Sequence, residues 1–246
     1  MDVRKDVVSL WNEAFGDTEE EISLFLSIVN EENLITRVED GRVVSQLFLL
    51  EGNVVDGKKS TPAYYLYAAA TLKAYRGRGI MGELISEAVE KAKREGKGYI
   101  LLLPGEEWLY SYYERFGFRP LCKSLLCESH GENITVPKES DYSHFVHGEN
   151  VYSYAEKLYS EPDYEIMKTE NGSAIYSVKD GAVTVKEWKK SPLVSEIKKK
   201  TECGKVYARL PLNTDAKGKC TVVNHGVILP LRDELPENVY LDYTLD

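Results

Sequence analysis

The chain has 246 residues, of which 43% are hydrophobic and 29% charged, so its length suits one large globular domain or two smaller ones. Asp and Glu outnumber Lys and Arg by 40 to 31, which gives a net charge of −9 and argues against nucleic-acid or anionic-membrane binding. No apolar run is long enough to cross a bilayer, and the N-terminus lacks the basic-then-apolar order of a secretory signal. We therefore expect a cytoplasmic protein with its four scattered cysteines reduced.

The N-terminal third predicts two helices followed by an antiparallel meander. Residues 7–15 and 19–29 carry apolar side chains at helical spacing. Residues 34–39, 43–51 and 64–72 are rich in β-branched, aliphatic and aromatic residues. Asp40-Gly41 and Asp56-Gly57 are strong turn signals between these three segments, which we interpret as consecutive strands.

The next segment predicts a helix and a parallel strand. Ile80, Leu84 and Ala88 belong to an apolar stripe whose opposite face is charged, and Gly96 ends this helix. Residues 99–103 form a short, continuous apolar run, typical of a strand that is buried on both faces. Strand, helix and strand then form a right-handed crossover with a parallel pair.

The remaining chain predicts a second, smaller α+β region. A helix over 106–116 and a strand over 122–127 complete the first domain, and the polar, turn-rich stretch around 130–150 marks a boundary between domains 1–130 and 131–246. The second domain has predicted helices over 151–159 and 192–201, and predicted strands over 174–178, 182–188, 206–210 and 221–223. This order echoes that of the first half but lacks its glycine-rich loop.

The most informative stretch is the loop of residues 75–82, between a predicted strand and a predicted helix. Gly77, Gly79 and Gly82 allow backbone N–H groups to turn inward around an anion, and the helix directs its positive dipole end to the same place. Lys73, Arg76 and Arg78 concentrate positive charge here in an otherwise acidic protein. These features predict a site for a pyrophosphate, although a glycine turn before an ordinary helix is the simpler alternative.

Two other nucleotide-binding loops fit less well. A Walker loop requires Lys-Ser or Lys-Thr after its last glycine, and Gly82 is followed by Glu83. A dinucleotide-binding loop requires Gly-x-Gly-x-x-Gly after a first parallel strand, whereas this loop follows three antiparallel strands. The context therefore disfavours a Rossmann domain.

The loop resembles the acetyl-CoA signature of the GNAT N-acetyltransferase superfamily, Arg/Gln-x-x-Gly-x-Gly/Ala, with Arg76 and Gly79 in the first and fourth places. Met81 occupies the sixth place, where most members have Gly or Ala, and a large residue there is more similar to the Eis-type branch. Residues 113–118 resemble the second signature, Tyr-x-x-x-Gly-Phe, and the resemblance covers about residues 5–128.

The resemblance implies a mixed α/β fold, with a mostly antiparallel sheet that contains a splayed parallel pair and is flanked by helices. A C-terminal half that is a degenerate second copy of this fold would match the Eis-type branch. The implied cosubstrate is acetyl-CoA, held by main-chain groups at the end of the third strand and by the loop: Thr71, Leu72, Lys73, Arg76, Gly77, Arg78, Gly79, Ile80, Met81 and Gly82.

The resemblance also implies transfer of an acetyl group to a primary amine of a small molecule or peptide, with Tyr113 as the proton donor to the leaving thiolate. Tyr113 could instead be a core aromatic, and Tyr110 and Tyr112 are lesser candidates. For the general base we consider Glu106, Glu107, water or the C-terminal carboxylate of the chain, which can enter the active site in the Eis-type branch. A catalytically silent CoA-binding module is the competing interpretation.

Other chemical groups carry less information. His144 and His147 lack a neighbouring cluster with metal-ligand spacing, so we expect no metal. Cys122 and Cys127 resemble small core or edge residues of a strand. We expect a monomer or a homodimer that binds neither nucleic acid nor membrane.

Overall fold

The computed structural model describes residues 2–129, 134–160, 162–216, 218–232 and 234–245. The α-helices are α1 (Val3–Phe15), α2 (Glu19–Leu26), α3 (Ile80–Arg94), α4 (Glu107–Glu114), α5 (Glu149–Leu158) and α6 (Val194–Thr201). The strands of the first half are β1 (Leu34–Glu39), β2 (Arg42–Asp56), β3 (Lys59–Thr71), β4 (Tyr99–Leu102) and β5 (Lys123–Ser129). Those that follow are β6 (Ile134–Thr135), β7 (His144–His147), β8 (Glu165–Thr169), β9 (Gly172–Lys179), β10 (Ala182–Lys189), β11 (Lys205–Leu210), β12 (Asp215–Ala216), β13 (Lys219–Asn224), β14 (Val227–Pro230) and β15 (Tyr240–Leu241).

Helices α1 and α2 cover one face of the first sheet. Thr18 and Glu21 form a reciprocal capping box that starts α2. Trp11 of α1 and Phe25 of α2 are buried and meet Phe48 of β2, with ring centroids 4.9–5.4 Å apart. This aromatic cluster fixes both helices against the sheet, because such ring pairs add to the free energy gained by burial.

The first sheet contains the predicted meander and the predicted crossover. β1, β2 and β3 pair antiparallel in order, and β3 pairs in parallel with β4 through Ala63–Tyr65 and Tyr99–Leu101 after the connection by α3. The full order is β14-β4-β3-β2-β7-β15, with β1 paired to β2. The three-stranded meander, the helix and the buried parallel strand are therefore confirmed.

The first sheet also takes strands from the C-terminal half of the chain. β14 pairs antiparallel with β4, β7 pairs antiparallel with β2, and β15 pairs in parallel with β7. β5, placed by the sequence in the first domain, lies in the second sheet between β11 and β13. The two sheets therefore do not divide at the predicted boundary near residue 130, because distant segments cross it in both directions.

The second sheet has the order β13-β5-β11-β10-β9-β8. Strands β8, β9 and β10 form an antiparallel meander, and α6 connects β10 to its parallel neighbour β11. The first half has the same succession of meander, helix and parallel strand, so the echo predicted from the sequence corresponds to a repeated order of elements in the two sheets.

The cysteines differ from the expectation of reduced thiols. Cys127 of β5 and Cys220 of β13 form a disulfide across directly opposed positions of neighbouring strands, 93 residues apart in sequence. Cys122 and Cys203 are buried free thiols. The prediction failed for the pair because strand register, which local sequence does not encode, brings the two side chains together.

In the parts of the chain that the structure describes, none of the helices has both the length and the apolar character that a membrane span requires.

Candidate active site

A cavity of about 720 Å³ opens where β3 and β4 separate. The strands are paired as far as Tyr65 and Leu101 and diverge beyond these residues. Leu66, Tyr67, Ala68 and Ala69 of β3 form one wall of the cavity. Residues 102–105 form the facing wall. A splayed parallel pair exposes main-chain N–H and C=O groups that an extended ligand can use, as an added strand would.

A bulge in β3 accompanies the divergence. Gln46 opposes Ala70 and Phe48 opposes Tyr67, so that Ala68 and Ala69 face a single residue of β2. Ala68 has a φ of 47°, an uncommon value for a residue with a Cβ atom. Bulges of this kind occur next to active sites, where they redirect the backbone. Ala68 and Ala69 were not predicted as site residues, since a run of alanines carries no sign of a bulge.

The glycine-rich loop connects β3 to the start of α3. Gly79 is the N-cap residue of α3 and has a φ of 82°, and Gly77 has a φ of 77°. Because Gly79 has no side chain, no side-chain cap occupies the first-turn N–H groups of this helix within the described structure. The start of α3 therefore offers the donors and the dipole that an anion prefers.

Close packing explains why residue 82 is a glycine. A Cβ atom at this position would lie 3.2–3.3 Å from two carbons of the Phe116 ring. The glycine thus lets the first turn of α3 approach the end of α4 closely. Ile80 and Met81 are the first two residues of α3; Ile80 is part of the core and Met81 packs against it.

The two loop arginines are partly anchored. The Nε of Arg76 donates to the carbonyl oxygen of Thr71 at 2.9 Å, and an Nη of Arg78 donates to the carbonyl oxygen of Ala74 at 3.0 Å. The guanidinium of Arg78 also lies 4.7 Å from the ring centre of Tyr75. Both side chains remain exposed, so the anchored guanidinium groups can also meet an anion at the helix start.

Thr71, Leu72 and Lys73 lie at the end of β3, beyond the cavity. The carbonyl of Thr71 accepts from Arg76, the N–H of Leu72 donates to Val44, and that of Lys73 lies 3.4 Å from a carboxylate oxygen of Glu13. Main-chain contacts of Thr71, Leu72 and Lys73 with the cosubstrate therefore remain a prediction. The residues that line the gap itself are those just before them, 66–69.

Tyr113 lies on α4 and lines the cavity. Its side chain is buried and lines the cavity, and its ring meets Phe118 edge to face at 5.6 Å. Burial raises the pKa of its hydroxyl well above the usual value, so the phenol is protonated at neutral pH. Tyr113 is thus both a core aromatic and a cavity-lining hydroxyl, and the two interpretations from sequence are compatible.

The two lesser tyrosines have different surroundings. Tyr110 also lines the cavity, and burial raises its pKa while a hydrogen bond with the backbone of Gly226 opposes that rise. Tyr112 is not among the cavity residues, and the guanidinium of Arg115 lies over its ring at 4.6 Å. Tyr110 therefore has the better access to a ligand.

Glu106 and Glu107 are exposed at the start of α4 and line the cavity. Glu106 is the N-cap residue of α4 and makes no side-chain capping bond in the described structure. A third carboxylate, Asp17, lines the cavity from the end of α1 and accepts a 2.7 Å hydrogen bond from Nε1 of Trp11. The C-terminal half adds Arg209, Asn224 and His225 to the walls. No motif in the sequence marks Asp17, Arg209, Asn224 or His225 as site residues, since only folding brings them to the cavity.

The chain segment 243–245 also reaches the cavity. Thr244 and Leu245 line it, and their carbonyl oxygens accept hydrogen bonds of 3.0 Å from the hydroxyl groups of Tyr65 and Tyr67. Asp246, which carries the carboxylate considered as a general base, lies outside the described residues. Burial and the nearby Glu187 raise the pKa of Asp242 well above its usual value.

The histidines of β7 have structural surroundings. His147 is buried, and its Nε2 donates to the carbonyl oxygen of Tyr243 at 2.9 Å. Burial lowers its pKa to about 3. In the described ranges, no group of three or more His, Cys, Asp or Glu side chains is placed to hold a metal ion.

A curled mixed sheet with a splayed parallel pair, next to a glycine-rich helix start, defines the fold of the GNAT N-acetyltransferases. Residues 2–121 match the family model described as an acetyltransferase (GNAT) domain. These residues, just under half of the chain, are therefore similar to a GNAT acetyltransferase domain.

Solved structures of low sequence identity share the fold over nearly the whole chain. A GCN5-related N-acetyltransferase from Anabaena variabilis has a TM-score of 0.70 at 12% identity, and one from Kribbella flavida has 0.68 at 15%; each comparison covers 93% of this chain and 70% of the other. Eis1 from Mycobacterium abscessus has a TM-score of 0.68 at 10% identity, covering 92% of this chain and 70% of that protein. A search of curated protein sequences returned no match.

Proposed function

We propose that this protein transfers an acetyl group from acetyl-CoA to a primary amine of a small molecule or peptide. The observation that supports this most is the continuity of the site. β3 lines the cavity with residues 66–69 and continues through residues 72–79 to the start of α3, while Tyr113 lines the same cavity. An anion site, an open strand edge and a protonated hydroxyl thus follow one another along a path that suits acetyl-CoA.

Each part of the site then has a role in acetyl transfer. The N–H groups at the start of α3, with Arg76 and Arg78, bind the pyrophosphate. The free edges of β3 and β4 hold the pantetheine arm, which places the thioester in the cavity. The amine nitrogen attacks the thioester carbon, a tetrahedral intermediate forms, and the carbon–sulfur bond breaks as Tyr113 donates its proton to the thiolate.

The amine must lose a proton during this reaction. Glu106, Glu107 and Asp17 are the carboxylates that line the cavity, so the proton passes to one of them directly or through water. The C-terminal carboxylate remains a further candidate. Because these three carboxylates line the cavity, protonated amines are also attracted to it before they are deprotonated.

The proposal is tested by release of free thiol from acetyl-CoA in the presence of polyamines, aminoglycosides, amino acids and peptides. We expect at least one amine to accelerate thiol release and to give an N-acetylated product of the matching mass. Binding of acetyl-CoA with no amine-dependent thiol release would instead support a catalytically silent CoA-binding module.

We further propose that the protein acts in the cytoplasm, where acetyl-CoA is available, as a monomer or homodimer. The disulfide between Cys127 and Cys220 is the observation that argues against this location, because disulfides are rare in the reducing cytoplasm. Trapping of thiols in intact cells, followed by mass spectrometry of both cysteines, tests the location, and light scattering tests the oligomeric state.

A further inference from the structure

The segment 243–245 has a backbone conformation that it does not prefer. Tyr243 and Leu245 have φ values of 49° and 60°, in the left-handed region that residues with a Cβ atom avoid. Two such residues within three positions persist only where surrounding contacts impose them, and strain of this kind is concentrated at functional sites. The segment lies against the cavity, so the contacts that impose its shape also set the shape of the cavity wall.

Glu187 of β10 makes the central contact. Its Oε2 accepts the backbone N–H of Tyr243 at 2.9 Å, and its Oε1 accepts that of Thr244 at 3.0 Å. The side chain is only 5% exposed. One buried carboxylate therefore engages two consecutive N–H groups of the strained segment, and hydrogen bonds to a charged acceptor are stronger than neutral ones.

An irregularity in β10 directs Glu187 to this position. The register with β9 shifts between Val185, opposite Tyr176, and Glu187, opposite Ile175. Val183, Val185 and Trp188 pack in the core of the second half, whereas Ile175 belongs to the core of the first. The extra residue, Lys186, thus turns Glu187 away from its own core and towards the first half.

The opposite side of the segment is held by strands of the first sheet. Tyr65 and Tyr67 of β3 donate to the carbonyl oxygens of Thr244 and Leu245, and His147 of β7 donates to that of Tyr243. The N–H groups are thus held by the second sheet and the carbonyl groups by the first. Tyr65, Tyr67, Thr244 and Leu245 line the same cavity as Tyr113.

We infer that Glu187 is a positioning residue that clamps the segment 243–245 as a wall of the acceptor cavity, so that the C-terminal half controls how the amine binds. This inference rests on the proposed function for the identity of the cavity. The second half lacks a glycine-rich loop of its own. Through Glu187 it instead shapes the acceptor site of the first half.

The test compares Glu187→Gln with wild type. Gln keeps the size of the side chain but offers one acceptor oxygen instead of two, so one of the two bonds is lost. We expect hydrogen exchange at the amides of Tyr243 and Thr244 to accelerate by about tenfold or more, as loss of a charge-assisted bond predicts. With the best amine of the thiol-release screen, we expect the acceptor KM to rise about tenfold and the acetyl-CoA KM to change less than about twofold.

Matched variants separate positioning from general stability. Glu170→Gln, at an exposed turn of the same half, should alter neither exchange nor either KM. Tyr67→Phe removes a donor to the same segment without changing a buried charge, and it serves if Glu187→Gln fails to fold. Because both act on one segment, we expect the double variant to raise the acceptor KM by less than the product of the single effects.

Unchanged exchange at Tyr243 and Thr244 in Glu187→Gln would overturn the clamp. Faster exchange with an unchanged acceptor KM, or an equal rise of both KM values, would overturn its role in the acceptor site. If no amine is acetylated at all, the proposed function fails, and the exchange measurement still decides whether Glu187 holds the segment.

Discussion

Tyr113 combines two properties that a proton donor to a thiolate needs. It lines the cavity, and its hydroxyl carries a proton at neutral pH, as that of tyrosine does even before burial raises its pKa. We therefore expect Tyr113→Phe to lower kcat by about 10²–10⁴-fold, the usual contribution of general acid catalysis, with little change in acetyl-CoA affinity. Steady-state kinetics with Tyr112→Phe as the matched control checks this. Full turnover by Tyr113→Phe would contradict the role of Tyr113 as proton donor.

His147 predicts a pH dependence of stability. Its pKa in the folded protein is about 3, because it is buried, whereas in the unfolded chain it is near 6.5. The unfolded state thus binds more protons, and the free energy of unfolding falls as the pH decreases below 6.5, by up to about 1.4 kcal/mol per pH unit. Denaturant titrations between pH 7 and pH 4 measure this slope.

His147→Gln should flatten that slope, because Gln does not titrate and its amide can still donate to the carbonyl oxygen of Tyr243. His144→Gln, on the same strand, should retain the slope since His147 is intact. An unchanged pH dependence in His147→Gln would show that another group is responsible.

At the scale of elements, the start of α3 depends on its glycines for different reasons. Gly79 has a φ of 82° and open space around it, so the cost of an alanine there is that of the backbone alone. We expect Gly79→Ala to lower the free energy of unfolding by about 1–2 kcal/mol, as left-handed residues do, and to weaken acetyl-CoA binding.

Gly105→Ala is the matched control for Gly79→Ala in denaturant titrations. Gly105 also has open space around it, but its φ is not in the left-handed region. We expect Gly105→Ala to stay within about 0.5 kcal/mol of wild type. Equal effects of the two substitutions would contradict the assignment of backbone strain at Gly79.

The elements with local signals were predictable from sequence. Asp40-Gly41 and Asp56-Gly57 do separate β1, β2 and β3, and the apolar stripe of α3 begins at Ile80 as expected. β14 and β15 were not predictable, because four- and two-residue strands have too little pattern, and their partners β4 and β7 are distant in sequence. The same reason hid Glu187, whose importance depends on where residues 243–244 lie.

At the scale of the whole molecule, both halves contribute to one site. The loop and Tyr113 were readable as motifs, and the resemblance that they carry implied the gap between β3 and β4. Arg209 of β11, His225 and residues 244–245 reach the cavity only through the pairing of strands that are distant in sequence. A sequence motif can thus predict the cosubstrate, but the proposed acceptor wall is assembled from distant segments.

The disulfide gives a prediction at the same scale. Cys127 and Cys220 close a loop of 93 residues between two strands of the second sheet. We expect Cys127→Ser combined with Cys220→Ser to lower the free energy of unfolding by roughly 2–4 kcal/mol, because a cross-link restricts the unfolded chain. Reductant should bring wild type to the level of the double variant and leave that variant unchanged. Stability that does not respond to reductant would contradict the cross-link.

We propose that the start of α3 holds acetyl-CoA by its pyrophosphate. Calorimetric titration of acetyl-CoA into wild type, Arg76→Glu with Arg78→Glu, and the distant charge reversal Lys179→Glu tests it most directly. We predict that the double variant stays folded and binds at least about tenfold more weakly, as expected when an attractive contact becomes repulsive, while Lys179→Glu matches wild type. Equal affinity in all three proteins would contradict the account.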